Sequence, residues 1–203
     1  MFYRADGPHG LKHNPFKALV TPRPIGWIST LSADGTPNLA PFSYFNAVTD
    51  FPPTLVFGCN GPHPEGDTKD TAANCRDTGE FVANIVTEEL THQMNASAAH
   101  IPRDQSEFEA AGLTAAASEM VKAPRVKESP VNLECKVVQI VQLASSNPKI
   151  VNNLVIGTVV GIHIDERILR DGMVDMAVYR PLARLGYMDY TVVDNVFSLD
   201  RPD

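Results

Sequence analysis

The sequence contains few cysteines and no pattern typical of a metal site. Its three cysteines, Cys59, Cys75 and Cys135, are isolated and odd in number, and none belongs to a CxxC pair. Neither a disulfide framework nor a zinc site is therefore indicated. The six histidines show no HExxH spacing. We predict no metal site and interpret the cysteines as buried thiols.

Positive charge is also scarce. The chain has 17 Lys and Arg against 24 Asp and Glu, which gives a formal net charge of −7. A nucleic acid or an anionic membrane requires a basic face that neutralises phosphates. We therefore predict neither of these partners, and any anion-binding site must be local.

Long apolar runs and the motifs of several enzyme classes are missing. No run of 18 apolar residues occurs, and the start of the chain lacks the basic and apolar regions of a secretory signal. The expected location is therefore the cytoplasm. The absence of GxGxxG, Walker and GxSxG motifs leaves a nucleotide-binding α/β domain or a nucleophilic hydrolase without support.

The patterns that are present predict one mainly β domain with short helices, spanning residues 1–203. Apolar runs bounded by turn residues predict strands at 25–32, 39–48, 54–59, 81–86, 131–143 and 154–164. The first two form a hairpin, and the last two are antiparallel neighbours whose lengths suit a barrel or a strongly coiled sheet. Helices are expected at 69–77 and 88–99, and residues 102–129 are interpreted as short helix and loop.

One stretch, "GDTKDTAAN", is a candidate anion site. Asp67 or Thr68 is the predicted helix N-cap, followed by Lys69, Asp70 and Thr71 in the first turn. Free backbone N–H groups, a Lys ammonium and a Thr hydroxyl together suit a phosphate. The alternative, which the residues alone favour, is a simple cap with Lys69 in solvent.

Several polar or aromatic residues lie within predicted strands and have two interpretations each. Asn46 belongs to a turn or bulge, or else it binds a ligand. Trp27 is a core residue or stacks on a cofactor ring. His163, in "GTVVGIHID", faces solvent or a ligand.

Four segments in order carry a family resemblance. They are "PFKALVTPRPIGWISTLSADGTPNLAPFSYFNAVTDFPPTLVFG", "KDTAANCRDTGEFVANIV", "PRVKESPVNLEC" and "PLARLGYMDYTVVDNVF". Together they resemble the flavin reductase-like, FMN-binding split-barrel family, from Pro15 to Phe197. The resemblance implies a Greek-key split β-barrel and a homodimer with one FMN per protomer near the dimer interface.

The resemblance also implies a function. FMN would take a hydride from NADH or NADPH and pass electrons to an acceptor or a partner oxygenase. One alternative is an electron carrier or flavin-binding module without its own nicotinamide site, because one fold hosts several roles. Another is a barrel without flavin that serves only in interactions. Hydride transfer to flavin requires no acid or base from the protein, so we assign no catalytic side chain.

The predicted cofactor-binding residues fall into four segments, at 23–27, 40–47, 69–71 and 184–187. Residues 40–47 would lie along the isoalloxazine and ribityl chain, and Lys69 and Thr71 would lie near the phosphate. Tyr187 stands where many relatives have glycine, which would narrow the space over the ring. The complete predicted set is Arg23, Trp27, Ala40, Pro41, Phe42, Ser43, Tyr44, Asn46, Ala47, Lys69, Asp70, Thr71, Arg184 and Tyr187.

Overall fold

The computed structural model describes residues 1–63 and 68–202, and this part of the chain is mainly β with short helices, as predicted. The strands are β1 (Arg23–Pro24), β2 (Gly26–Leu31), β3 (Pro37–Phe42), β4 (Phe45–Asp50), β5 (Pro53–Asn60), β6 (Glu80–Ile85), β7 (Ala115–Ala116), β8 (Arg125–Val126), β9 (Val131–Leu143), β10 (Asn152–Ile164), β11 (Leu169–Arg170), β12 (Met173–Val174), β13 (Leu182–Arg184) and β14 (Tyr190–Val192).

The helices are short and lie between these strands. They are α1 (Phe16–Leu19), α2 (Asp70–Thr78), α3 (Thr91–Ala96), α4 (Glu107–Ala110) and α5 (Met176–Tyr179), with single 3-10 turns at Glu88–Leu90 and Glu166–Ile168. Among the described residues, no helix has the length and apolar character needed to cross a membrane.

Seven strands form one antiparallel sheet in the order β3-β2-β6-β9-β10-β5-β4. Its two edge strands, β3 and β4, are consecutive in the chain and are joined only by Ser43 and Tyr44. Such a short connection requires the sheet to curl until its edges meet. The Tyr44 carbonyl accepts a hydrogen bond from the Gly58 N–H (2.7 Å) at this corner. The arrangement confirms the predicted split β-barrel.

The predicted second strand, residues 39–48, is wrong as a single element. The chain turns at Ser43 and Tyr44, so β3 pairs with β2 whereas β4 pairs with β5. Phe42 and Phe45, on either side of the corner, are both buried in the same apolar cluster. The apolar pattern therefore continues through the corner and conceals it. The predicted strands at 54–59, 131–143 and 154–164 are confirmed, and the last two are antiparallel neighbours.

Three phenylalanine rings pack against one another in the interior of the barrel. The Phe57 ring lies 5.2 Å from the rings of both Phe42 and Phe81, measured between centroids. A second apolar cluster covers the outer face of β2 and includes Leu39, Met94 and Phe108. The β2 end of the sheet is therefore buried on both faces, while β4 is mostly exposed.

The cysteines belong to the barrel interior. All three are free and buried, which confirms their interpretation as buried thiols. Burial raises the pKa of Cys59 to about 11 and the pKa of Cys75 well above its ordinary value. These thiols are therefore protonated at neutral pH.

Helix α2 begins later than predicted. Its N-cap is Lys69, whereas the Thr68 hydroxyl accepts a hydrogen bond from the Asn153 amide (3.1 Å), so the N-cap prediction at Thr68 is wrong. The alternative N-cap, Asp67, lies outside the described residues. Gly79 ends the helix as predicted, with a left-handed φ of 71° and an N–H donated to the Cys75 carbonyl.

A buried carboxylate holds residues 119–121 against the sheet. Glu134 of β9 is fully buried and accepts hydrogen bonds from the N–H groups of Glu119 (2.9 Å), Met120 (2.6 Å) and Val121 (3.2 Å). His163, which is partly buried on β10, also pairs with this carboxylate. Burial raises the pKa of Glu134, but the hydrogen bonds from Glu119, His163 and Met120 outweigh it and hold the pKa below its usual range.

Candidate cofactor site

Two adjoining cavities meet at Pro41 and Ala98. The first lies at the start of α2, has a volume of about 180 Å³ and is called the α2 cavity. The second lies beside β1 and β13, has a volume of about 400 Å³ and is called the twin-arginine cavity. The two cavities therefore form one continuous depression alongside β3.

The cavities bring together ten of the fourteen residues that the sequence predicts. The α2 cavity is lined by Ala40, Pro41, Phe42, Lys69, Asp70 and Thr71. The twin-arginine cavity is lined by Arg23, Pro41, Ser43, Arg184 and Tyr187. Strand β3 links the two groups, because Pro41 borders both cavities.

The start of α2 presents donor groups to its cavity. Lys69 is the N-cap and its side chain makes no capping bond, so the first N–H groups of the helix keep their capacity to bind an anion. The Lys69 ammonium lies 6.0 Å from the centroid of the Phe42 ring. The Thr71 hydroxyl is held in place by the Asn38 amide, which donates to it over 3.0 Å.

Asp70 contributes a negative charge here, and each of its carboxylate oxygens contacts a neighbouring side chain. Arg103 Nε lies 3.1 Å from one carboxylate oxygen, and His63 Nε2 lies 3.4 Å from the other. The Arg103 guanidinium also donates to the Thr68 carbonyl (3.3 Å). Asp70 therefore fastens the Arg103 loop to the start of α2, and the pairing limits its repulsion of an anion at Lys69.

Glu107 of α4 borders the same cavity and was not predicted from the sequence. Burial raises the pKa of its carboxyl, although the Leu39 N–H donates to it over 3.0 Å; the nearby Asp70 raises it further. This contact ties α4 to β3. The helix is only four residues long, so periodicity gives no signal that would identify it.

Two arginines face each other across strands at the second cavity. Arg23 of β1 and Arg184 of β13 are Cα partners in the antiparallel pairing. Arg23 is 7% exposed; its guanidinium donates to the carbonyls of Val20 (2.7 Å) and Lys17, while its buried Nε has no hydrogen-bond partner in the described chain. The Arg184 guanidinium lies 4.3 Å from the centroid of the Tyr190 ring.

The rim of the twin-arginine cavity is built by α1 and the turn at 185–189. A Cβ atom at Gly186 would overlap the Cβ of Ala18, so only glycine permits this contact. The next residue, Tyr187, has a φ of 55°, and its ring lies 5.7 Å from the His13 ring. Tyr187 is half exposed at the cavity rim. Its position there is compatible with the predicted narrowing of the space over a bound ring.

Four predicted residues lie outside both cavities. Trp27 is fully buried in the core, and its indole N–H donates to the Ser97 hydroxyl (2.8 Å), so it supports a residue that lines the α2 cavity. Tyr44 occupies the barrel corner. Asn46 and Ala47 are exposed on β4. Within one chain, contacts of these four residues with a cofactor stay predictions.

Residues 97–101 form a wall of the α2 cavity that sequence reasoning missed. The predicted helix at 88–99 covers part of this segment, but α3 ends at Ala96. In the wall itself, the small side chains of Ser97, Ala98 and Ala99 allow the chain to approach β3 closely. Only that run of small side chains could have indicated the wall.

The chain belongs to the flavin reductase-like domain family, whose model matches residues 19–184. This range includes every predicted cofactor residue except Tyr187. The match agrees with the family that the sequence motifs resemble.

A curated protein and several solved structures are similar to this chain over most of its length. An uncharacterised protein of Halalkalibacterium halodurans is 38% identical over 183 residues, which is 90% of this chain and 87% of that protein. The fold is similar to nitrilotriacetate monooxygenase component B of Bacillus cereus (TM-score 0.86, 30% identity, 98% of this chain and 100% of that chain). It is also similar to the 2-nitrobenzoate 2-nitroreductase of Pseudomonas fluorescens (TM-score 0.80, 28% identity, 92% and 88%).

Proposed function

We propose that the protein is an FMN-binding oxidoreductase that takes electrons from NADH or NADPH and passes them to an acceptor or a partner oxygenase. The observation that carries this proposal is the pair of joined cavities, with Lys69 at one end and Arg23 and Arg184 at the other. An elongated cofactor with an anionic end fits such a depression. The family match and the oxidoreductases among the similar structures support the same class.

The residues at both ends have the chemistry that FMN requires. Lys69, Thr71 and the first N–H groups of α2 would hold the phosphate. Residues 40–43 would lie along the ribityl chain and the ring. The buried Nε of Arg23, which has no acceptor in the described chain, indicates a site that a ligand completes. When bound, FMN would supply the hydride and electron transfer.

The protein's own contribution is orientation and electrostatics. Arg23 and Arg184 would favour negative charge near one edge of the ring, because fixed cations stabilise charge that develops there. Pro41 and Ala98, where the cavities meet, would exclude water from the middle of the cofactor. The partner oxygenase is supported by the similarity to a protein that is a monooxygenase component.

Anaerobic reduction tests this function. We expect the FMN-loaded protein to lose its yellow colour within minutes of adding NADH or NADPH, and to regain it in air. Dithionite serves as the control that the bound flavin is reducible. Bleaching by dithionite but by neither nucleotide would support an electron carrier or flavin-binding module, and a colourless protein that refuses FMN would support an interaction role.

We expect a homodimer, because apolar residues stay exposed on the long strands and on β4. Val48, Val138 and Ile162 are each more than half exposed. Monomeric proteins rarely leave a large apolar patch uncovered, and the edge strand β4 has unpaired backbone groups. Analytical ultracentrifugation at micromolar concentration should show a dimer. A stable monomer with a full complement of FMN would contradict this expectation.

Substitutions at Ser43 and Asn46 test which of these residues contacts the flavin ring. Ser43 lines the twin-arginine cavity, whereas Asn46 is exposed on β4. We expect Ser43→Ala to weaken FMN binding by about 1 kcal/mol, since it removes one hydrogen-bonding group, with little change in the melting temperature of the FMN-free protein. Asn46→Ala tests whether the flavin also reaches β4: an equal loss of FMN affinity would place Asn46 at the cofactor.

If instead Ser43→Ala lowered the melting temperature of the FMN-free protein while FMN affinity held, Ser43 would support the corner rather than the flavin. Isothermal titration and thermal unfolding of one preparation distinguish the two outcomes.

A further inference from the structure

The twin-arginine cavity concentrates positive charge that no carboxylate neutralises. Lys17, Arg23 and Arg184 line it, and within residues 1–63 and 68–202 none of the three forms an ion pair. Elsewhere in the described chain, six arginines each lie within 3.2 Å of a carboxylate oxygen. For a chain with a net charge of −7, such a group of unpaired cations is unexpected.

The strand pairing brings two of these positive charges close together. Arg23 and Arg184 are direct cross-strand partners, and like charges in that position destabilise a sheet. Their hydrogen bonds go to neutral oxygens, namely backbone carbonyls and the Tyr190 hydroxyl. The described lining of the cavity contains no Asp or Glu. A bound anion would relieve the repulsion and neutralise the site.

Oxidised FMN does not supply that anion under the proposed function. Its phosphate is assigned to Lys69 and Thr71, at the far end of the joined cavities, and an oxidised isoalloxazine carries no charge. Before the flavin is reduced, the cations beside the ring are therefore open to a second, anionic ligand. Tyr187 and Tyr190 line the same cavity, which gives that ligand an aromatic surface.

We propose that the twin-arginine cavity binds a small aromatic carboxylate beside the flavin. This inference rests on the proposed function, in which the nicotinamide supplies the electrons through FMN. Arg184 and Lys17 contact the carboxylate, and Tyr187 covers the aromatic ring from the rim. The flavin ring occupies part of the same cavity of about 400 Å³, so the space that remains suits a single-ring acid better than a dinucleotide.

Binding of benzoate to the FMN-loaded protein tests the proposal without turnover. Benzoate is titrated against benzamide, its neutral analogue, and the change in flavin absorbance gives both dissociation constants. We expect benzoate to bind about tenfold more tightly than benzamide, the scale of a hydrogen bond to a charged group. Equal affinities would overturn the proposal. Binding of ADP with no binding of benzoate would overturn it in favour of the nicotinamide dinucleotide.

Variants then locate the carboxylate. Arg184→Gln should remove most of the preference for benzoate over benzamide, and Lys17→Gln should reduce it about threefold, because an exposed lysine contributes less. Lys12→Gln is the matched control, since Lys12 is exposed outside the cavity, and it should leave the preference unchanged. An unaltered preference in Arg184→Gln would overturn the assignment.

The preference is measured only on FMN-loaded protein, so a loss of FMN affinity in a variant does not imitate the expected result. A wild-type protein that takes up no FMN would contradict the proposed function itself. A loaded protein that nicotinamide reduces but that does not prefer benzoate would contradict this inference alone.

Discussion

Replacing Lys69 with alanine is expected to weaken FMN binding by about 1.5–3 kcal/mol, the usual scale for a hydrogen bond to a charged group. Riboflavin, which lacks the phosphate, should lose much less affinity. Lys69 is the N-cap of α2 and lines the α2 cavity, and no carboxylate in the described chain pairs with it. Its ammonium is therefore available for the phosphate.

Isothermal titration of both flavins against the wild type and the variant measures this difference. Lys149→Ala is the control, because Lys149 is exposed in the turn between β9 and β10. Equal losses for FMN and riboflavin would show that Lys69 does not contact the phosphate, and the α2 cavity would then hold another part of the ligand.

The second large effect is expected on stability. Glu134→Gln should lower the free energy of unfolding by about 2–4 kcal/mol, because an amide replaces a fully buried carboxylate that accepts three backbone N–H bonds. The amide N–H₂ group would also face donors and leave them unpaired. Glu119→Gln is the control: its side chain is exposed, although its backbone N–H donates to Glu134.

The difference between wild type and Glu134→Gln should depend on pH. The pKa of Glu134 is below its usual range in the folded protein, so its ionisation stabilises the fold above the unfolded pKa of about 4.3. That contribution is lost as the pH falls through the folded pKa. Urea unfolding at pH 7 and at pH 3 should therefore give a larger difference at pH 7, and a difference independent of pH would contradict the role of the charge.

The sequence determined the secondary structure of this protein where local rules are strong. The long β-branched strands and the turn between them follow from hydrophobic periodicity and turn residues. The glycine that ends α2 follows from glycine's access to positive φ. The break at Ser43 and Tyr44 did not follow, because Phe42 and Phe45 both face the core and the apolar pattern runs through the corner. Which strand each arm pairs with depends on closure of the sheet, and closure is a long-range property.

The motifs at 69–71, 40–43 and 184–187 identified most of the residues that line the cavities, and their family resemblance supplied the cofactor hypothesis. Tertiary structure alone decided how those residues face one another. Three contacts join segments that are far apart in the chain. They are the cross-strand pairing of Arg23 with Arg184, the ion pair between Arg103 and Asp70, and the contact between Gly186 and Ala18. Such contacts leave no local pattern in the sequence. Each residue of a pair is compatible with many partners until the sheet closes and brings the two residues together.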